Sequence, residues 1–199
     1  MTVNKGGRPS KAHERIAEIV QATAGVVARD GLAGATLSKV AAAAGLQRTL
    51  VLHYFGSRDA LIGAFIDHAV AAYGTAMLRG GAKYSLQHRI EAMFAPGAYR
   101  RHEDLVIWSE LVALSARDKA VRTRMHDLWA DRWLPELEAK LAGEYPSANG
   151  DAVAAAAYAL ACLFEAHWAF SVQGITDKRR QRQATLAARV ILDRLGGAK

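Results

Sequence analysis

The chain has 199 residues, enough for one large domain or two small ones, and its 51% hydrophobic and 23% charged residues exclude a disordered polymer. The net charge of +7 suits a polyanionic partner, and the excess is densest at the front, where residues 1–60 hold eight Lys/Arg against four Asp/Glu. The lone Cys162 excludes an internal disulfide or a cysteine zinc cluster; the longest apolar run, Ala152 to Leu163, is too short to span a membrane, and Met1 to Lys11 has no apolar core of a signal peptide, which together suggest a cytoplasmic protein without a membrane partner.

Residues 1–10 are polar, with Gly6-Gly7 and Pro9, and read as a mobile arm carrying Lys5 and Arg8 that could reach a minor groove. A helix from Ser10 or Lys11 to about Asp30 follows, with Ile16, Ile19, Val20, Thr23, Ala24 and Val27 on one face. Asp30-Gly31 ends it. Thr36 can cap the next helix through its hydroxyl oxygen. Leu37, Val40, Ala41 and Ala44 recur at i, i+3, i+4, i+7, and Gly45 supplies the residue able to take positive φ at the helix end. A second short helix starts about Gln47 and stops at Gly56. Short helix, glycine turn, short helix is the helix-turn-helix pattern. With the long helix before it, the unit becomes a three-helix domain over residues 11–58.

Ser57 is placed to cap a fourth helix, which runs to about Leu78 with Leu61, Ile62, Phe65, Ile66, Ala69, Val70 and Tyr73 on a broad apolar face. Residues 59–79 would connect the first domain to a second over residues 80–199, with Gly80-Gly81 as the break. Further helices are expected at Ser85 to Ala95 (ending at Pro96-Gly97), Tyr99 to Ala116, Asp118 to Ala142, about Asp151 to Gly174 and Lys178 to Leu195. Pro135 should kink or restart the third of these. Asn149 or Asp151 would cap the fourth. No strand pattern or internal repeat is visible, so the fold class is all-α with about nine helices.

Several side chains carry chemistry. Arg48 could read guanine O6 and N7 or sit on a phosphate. Gln47 could pair with adenine or cap its helix. His53 could donate to a phosphate or base. Arg58 lies at a helix start, where a cation opposes the macrodipole unless an anion is near. In the second domain all four tryptophans and most other aromatics concentrate. Core packing accounts for most of them, and a ligand pocket between helices is the functional reading for Trp108, Trp129, Trp133, Phe164 and Trp168. Glu110, Asp127 and Glu165 are acidic candidates beside them, an arrangement suited to a cation. Leu160, Phe164, Leu186, Val190 and Ile191 on the last two helices are expected at a four-helix dimer interface. No zinc-protease pair, phosphate loop or nucleophile elbow occurs, so neither catalysis nor a metal or other cofactor is expected. His126-Asp127 are sequence neighbours that point about 100° apart on a helix, and Cys162 reads as a buried, inert thiol.

Gly31-Leu32, Thr36-Leu37-x-x-Val40-Ala41-x-x-Ala44-Gly45-Leu46, His53-Tyr54-Phe55 and Arg58-x-x-Leu61 together resemble the TetR family of bacterial repressors over roughly residues 11–70. His-Tyr-Phe with a basic residue three positions on looks most like its choline-responsive, BetI-like branch. The resemblance implies a homodimer that binds a palindromic double-stranded DNA operator through the N-terminal domain and a small-molecule effector through the second. It implies Thr36 on a phosphate. It implies Gln47, Arg48, Thr49, Leu50, Leu52 and His53 toward the groove and Tyr54 and Arg58 on the DNA backbone, with Leu46, Val51 and Phe55 inward. Gln47, Thr49 and Leu52 depart from the residues frequent in the family, which bears on the operator sequence. The functional expectation is a ligand-responsive repressor. The alternatives are an activator or a regulator answering a protein partner without a small ligand, and, further off, a helical enzyme.

Overall fold

The computed structural model of the chain describes residues 11–77, 84–95 and 101–197. The expected arm and the glycine and proline breaks at Gly80-Gly81 and Pro96-Gly97 lie outside the described residues. Among the described residues there are ten α-helices, one π-helical segment and no strand. They divide into two compact units, residues 1–69 and 70–199.

The first unit holds α1 (Lys11–Gly34), α2 (Leu37–Ala43), α3 (Arg48–Phe55) and the first part of α4 (Arg58–Met77). The apolar stripe of α1 is buried at Ile19, Val20, Thr23, Ala24, Val26 and Val27, while Ile16 is half-buried. Thr23 is the one buried polar residue there, and its hydroxyl donates to the carbonyl of Ile19 at 2.8 Å, so no polar group is stranded. Gly31 leaves helical geometry at φ 71°, ψ 168°, a combination that only glycine takes easily, and so α1 turns at the expected Asp30-Gly31. Asp30 then ties the end of α1 to α2 through Lys39 Nζ at 2.8 Å, with Arg29 on its other side. These cations hold its carboxyl well below the usual carboxylate range.

The second unit is organised around α9 (Gly150–Val172), against which α6 (His102–Ser115), α8 (Leu134–Glu144) and α10 (Lys178–Gly196) pack. The buried face of α9 is Val153, Ala156, Ala157, Leu160, Ala161, Phe164 and Trp168. α5 (Leu86–Ala92) joins α10 through a forked pair in which Arg189 donates to both Glu91 oxygens at 2.6 and 2.8 Å. α7 (Lys119–His126) does not run uninterrupted into α8. A π-helical segment, Asp127–Trp133, intervenes, with the N–H of Leu134 donating to the carbonyl of Trp129. Pro135 follows in the first turn of α8. It lacks an N–H and its ring would meet the carbonyl four residues back in an α-register. Widening the turn before it accommodates the ring while the helix continues. Counted as one interrupted helix, α7 to α8 brings the total to the nine that the periodicity suggested.

Candidate nucleic-acid interface and aromatic cluster

α2 and α3 form the two-helix unit expected from the sequence. The Thr36 side-chain oxygen accepts from the N–H of Lys39 at 3.3 Å, and Gly45 turns the chain at φ 66°. Gln47 occupies the cap position of α3 without a side-chain cap bond, so its amide is not consumed there. Only Val51 of α3 is fully buried. That settles the ambiguity of three consecutive apolar residues, Leu50, Val51 and Leu52. Gln47, Arg48, Thr49, Leu52 and His53 are exposed, Leu52 by 38%. Leu50 is half-buried, so the apolar part of this face is Leu52 with Leu50 at its margin. Leu46, Tyr54 and Phe55 are half-buried, and the Tyr54 ring meets the His53 ring edge-on at 5.5 Å.

Arg58 has an intramolecular role that its sequence context did not reveal. Its guanidinium donates to the carbonyls of Ala35 at 2.9 Å and Leu32 at 2.6 Å. A cation at this helix start is thus matched by two carbonyl oxygens, that of Leu32 in the last turn of α1 and that of Ala35 in the α1–α2 connection, and the expected DNA backbone is not needed to explain it. Arg58 thereby ties the start of α4 to the entry of α2.

In the second unit the aromatics gather around Glu165. The Tyr73 ring, on α4, lies flat on Trp108 of α6, with centroids 3.4 Å apart and planes 1° apart. The Tyr73 hydroxyl donates to Glu165 Oε1, and Trp108 Nε1 donates to Glu165 Oε2 at 3.0 Å. Burial pushes the Glu165 carboxyl up despite these two donors. Neither donor is a cation, and among the described residues no cation pairs with Glu165. Around this centre, Trp129 approaches Tyr73 at 6.3 Å and Trp133 at 4.9 Å, and Phe164 lies 6.4 Å from Trp133 and 6.3 Å from Trp168. Trp133 is 2% exposed and its Nε1 has no hydrogen-bond partner among the described residues, a buried donor that calls for an acceptor.

The structure thus brings Trp108, Trp129, Trp133, Phe164, Glu165 and Trp168 together. It adds Tyr73, which the sequence offered only as an apolar-face residue of α4. Glu110 is half-buried and takes no part in the network. Asp127 is excluded from it. It is exposed, and with Asp131 it faces His126 Nδ1, each at 3.7 Å. The π-segment explains the second of those contacts, because a wider turn places residues five apart on one face. His167, beside the cluster, has its pKa lowered chiefly by burial, against a hydrogen bond with the backbone of Phe94.

The expected dimer face needs correction. Leu160 and Phe164 are each 3% exposed and belong to the core of this chain. Ile191 is half-buried, whereas Leu186 is 60% exposed and Val190 54% exposed. The matching open row on α9 is Ala154, Ala155, Tyr158, Cys162, Ala169 and Phe170. Cys162 is exposed on that row and is not the buried thiol expected. One helix among the described residues, α9, is long and apolar enough to cross a membrane. Its two apolar faces, one in the core and one open, account for that composition.

Residues 19–65 match the family model for bacterial regulatory proteins of the TetR family. The chain is 35% identical over 83 residues to the HTH-type transcriptional regulator BetI of Paraburkholderia phytofirmans, a match spanning 41% of this chain and 43% of that relative. It is 29% identical over 163 residues to the regulator of the same name from Paraburkholderia phymatum, covering 77% of this chain and 79% of that one. A solved TetR transcription regulator from Haloarcula marismortui superposes with a TM-score of 0.72 at 16% identity, covering 92% of this chain and 98% of that chain. The structural likeness establishes the helical fold; the first sequence match spans less than half of its relative's length.

Proposed function

We propose that the chain is a DNA-binding transcriptional regulator of the TetR family, working as a homodimeric repressor released from a palindromic operator by a small molecule, a reading supported by the match of residues 19–65 and by the similarity to regulators named BetI. The observation that carries this reading is the outward face of α3, where Gln47, Arg48, Thr49, Leu52 and His53 are exposed while Val51 anchors the helix from behind. Polar forks on such a face can read base edges, and Leu52 suits the methyl of a thymine. The Thr36 hydroxyl, which accepts its cap bond, still has a proton to donate to a phosphate. Tyr54 would hold the backbone beside it, and Arg58 would support the surface from within. A dimer would place two such helices in successive major grooves about 34–36 Å apart.

The dimer we propose pairs the open rows of α9 and α10, with Tyr158, Phe170, Leu186 and Val190 as its apolar centre. Helices with small residues such as Ala154 and Ala155 between the large ones can approach closely. The effector site we propose is the aromatic cluster around Glu165. An uncompensated carboxylate among tryptophans suits a cation of the choline type, in keeping with relatives named BetI. Effector binding would act on α4, the helix that begins at Arg58 and carries Tyr73. It can do so only if the effector prefers the form that does not bind the operator. Cytoplasmic action on the genome follows from this reading.

The first experiment is to sequence the DNA that the purified protein retains from its own genome. Arg48→Ala combined with Tyr54→Ala should abolish binding to that operator and leave the folded dimer intact. Specific binding retained in the double variant would refute the contact surface. Titration with choline-like cations should change tryptophan fluorescence, and silence at millimolar concentrations would remove the effector assignment.

A further inference from the structure

The Glu165 carboxylate does two things at once. It is the one carboxylate at the centre of the aromatic cluster among the described residues, and it holds α4 to α9 through Tyr73 and α6 to α9 through Trp108. Tyr73 is 5% exposed and Trp108 6% exposed, so both of these donors are sequestered from solvent. The two hold different positions. Trp108 Nε1 can only donate, and its ring is fixed under Tyr73. The Tyr73 hydroxyl lies on the helix that runs, without a break, from Arg58 to Met77.

We propose that Glu165 is an effector-gated clasp: a cationic group entering the aromatic cluster takes the carboxylate oxygen that Tyr73 now holds, and this frees α4. The proposal rests on the reading that the cluster is the effector site, and it names the residues through which occupancy is felt. The clasp is closed in this structure, and on this proposal the closed clasp is the one compatible with operator binding. A cation is the ligand class able to compete, because it brings a full positive charge to a buried carboxylate whose present partners, a phenol and an indole, are both neutral donors. A neutral apolar molecule of the same size fills the cluster and leaves the clasp closed. Trp108 stays on the other oxygen in both forms, which keeps Glu165 oriented.

The test uses the full-length protein, the operator fragment selected from the genome, and tetramethylammonium as the probe. Tyr73→Phe retains the ring on Trp108 and deletes the hydroxyl. In this variant the clasp is already open. Operator affinity without any cation should fall about tenfold, and added tetramethylammonium should lower it no further while still changing tryptophan fluorescence. Glu165→Gln should weaken tetramethylammonium binding by about tenfold or more, since a neutral amide no longer offers a charge. Helical circular dichroism equal to that of the parent protein qualifies each variant for the comparison. A Tyr73→Phe protein that binds operator like the parent and is released by the cation like the parent overturns the clasp. Cation binding undiminished in Glu165→Gln also overturns it. A parent protein that ignores every cation overturns the effector reading instead, and the cation-free arm with Tyr73→Phe still decides whether the clasp controls α4.

Discussion

At the scale of single residues, position in the backbone and number of partners decide what a side chain contributes. Gly45 turns α2 into α3 at φ 66°, and a Cβ there would meet no neighbour within 4 Å. Gly45→Ala therefore isolates backbone strain from crowding. It should cost about 1–2 kcal/mol, seen as a lower thermal midpoint with the helical spectrum kept. A loss of helicity in the folded baseline would show that the turn has more than a conformational role. Arg58 makes the complementary point. Its two bonds to the carbonyls of Leu32 and Ala35 join residues more than twenty positions apart. Arg58→Ala should destabilise the first unit by about 1–2 kcal/mol, the lower part of the range for bonds to charged groups because the side chain is partly solvated. Arg58→Lys should recover little, since an ammonium lacks the planar fork. Both are read by chemical denaturation.

At the scale of elements, the clearest features are where helices are interrupted or joined. The π-segment before Pro135 makes α7 and α8 one path with a wide turn, and that turn carries Trp129 and Trp133 of the aromatic cluster. A sequence periodicity of 3.6 cannot show this, because the extra residue shifts every later position. α5 is a short helix whose outward link to α10 is the Glu91–Arg189 fork. Arg189 beside it holds the Glu91 carboxyl down to about 2 from an ordinary 4.5. A depressed carboxyl stabilises the fold above its ordinary pKa, and that contribution fades as pH falls from about 4.5 toward about 2. The stability gap between the parent and Arg189→Ala, measured by urea unfolding, should therefore be open at pH 7 and closed near pH 2. A gap of constant size would assign the effect of Arg189 to packing of its stem.

At the scale of the whole molecule, the expected state is a dimer of the 21.4 kDa chain. Tyr158, Phe170, Leu186 and Val190 are all more than half exposed in one copy, and four large apolar side chains on two packed helices are a face that calls for cover. Light scattering at micromolar concentration should give twice the chain mass, and Leu186→Arg with Val190→Arg should give the monomer mass without loss of helix. A monomeric parent protein would remove this interface and with it the paired recognition helices. The excess of basic residues near the front carries a second expectation. Operator affinity should fall steeply and linearly in a logarithmic plot against salt, as counterions are released. Affinity indifferent to salt would exclude the phosphate contacts proposed for this face.

Much of the first unit was legible from residue order alone. The stripe on α1, the Thr36 cap and the glycines at positions 31, 45 and 56 are local consequences of 3.6-residue periodicity, side-chain capping and backbone freedom, and each is specified within a few residues. The all-helical class followed for the same reason. What required the folded chain were relations between distant residues with similar local character. Val51 points inward and Leu52 outward although both are apolar neighbours. Phe164 and Leu160 face the core whereas Tyr158 and Phe170 face outward, because α9 has two apolar faces and periodicity does not say which one its own chain covers. Arg58 meets carbonyls from the end of α1 and the connection after it, and Glu165 meets Tyr73 and Trp108 from helices 92 and 57 positions away. Local sequence sets the helices because their hydrogen bonds close within four residues. Which faces meet is decided by packing among all of them, and only the tertiary structure contains that choice.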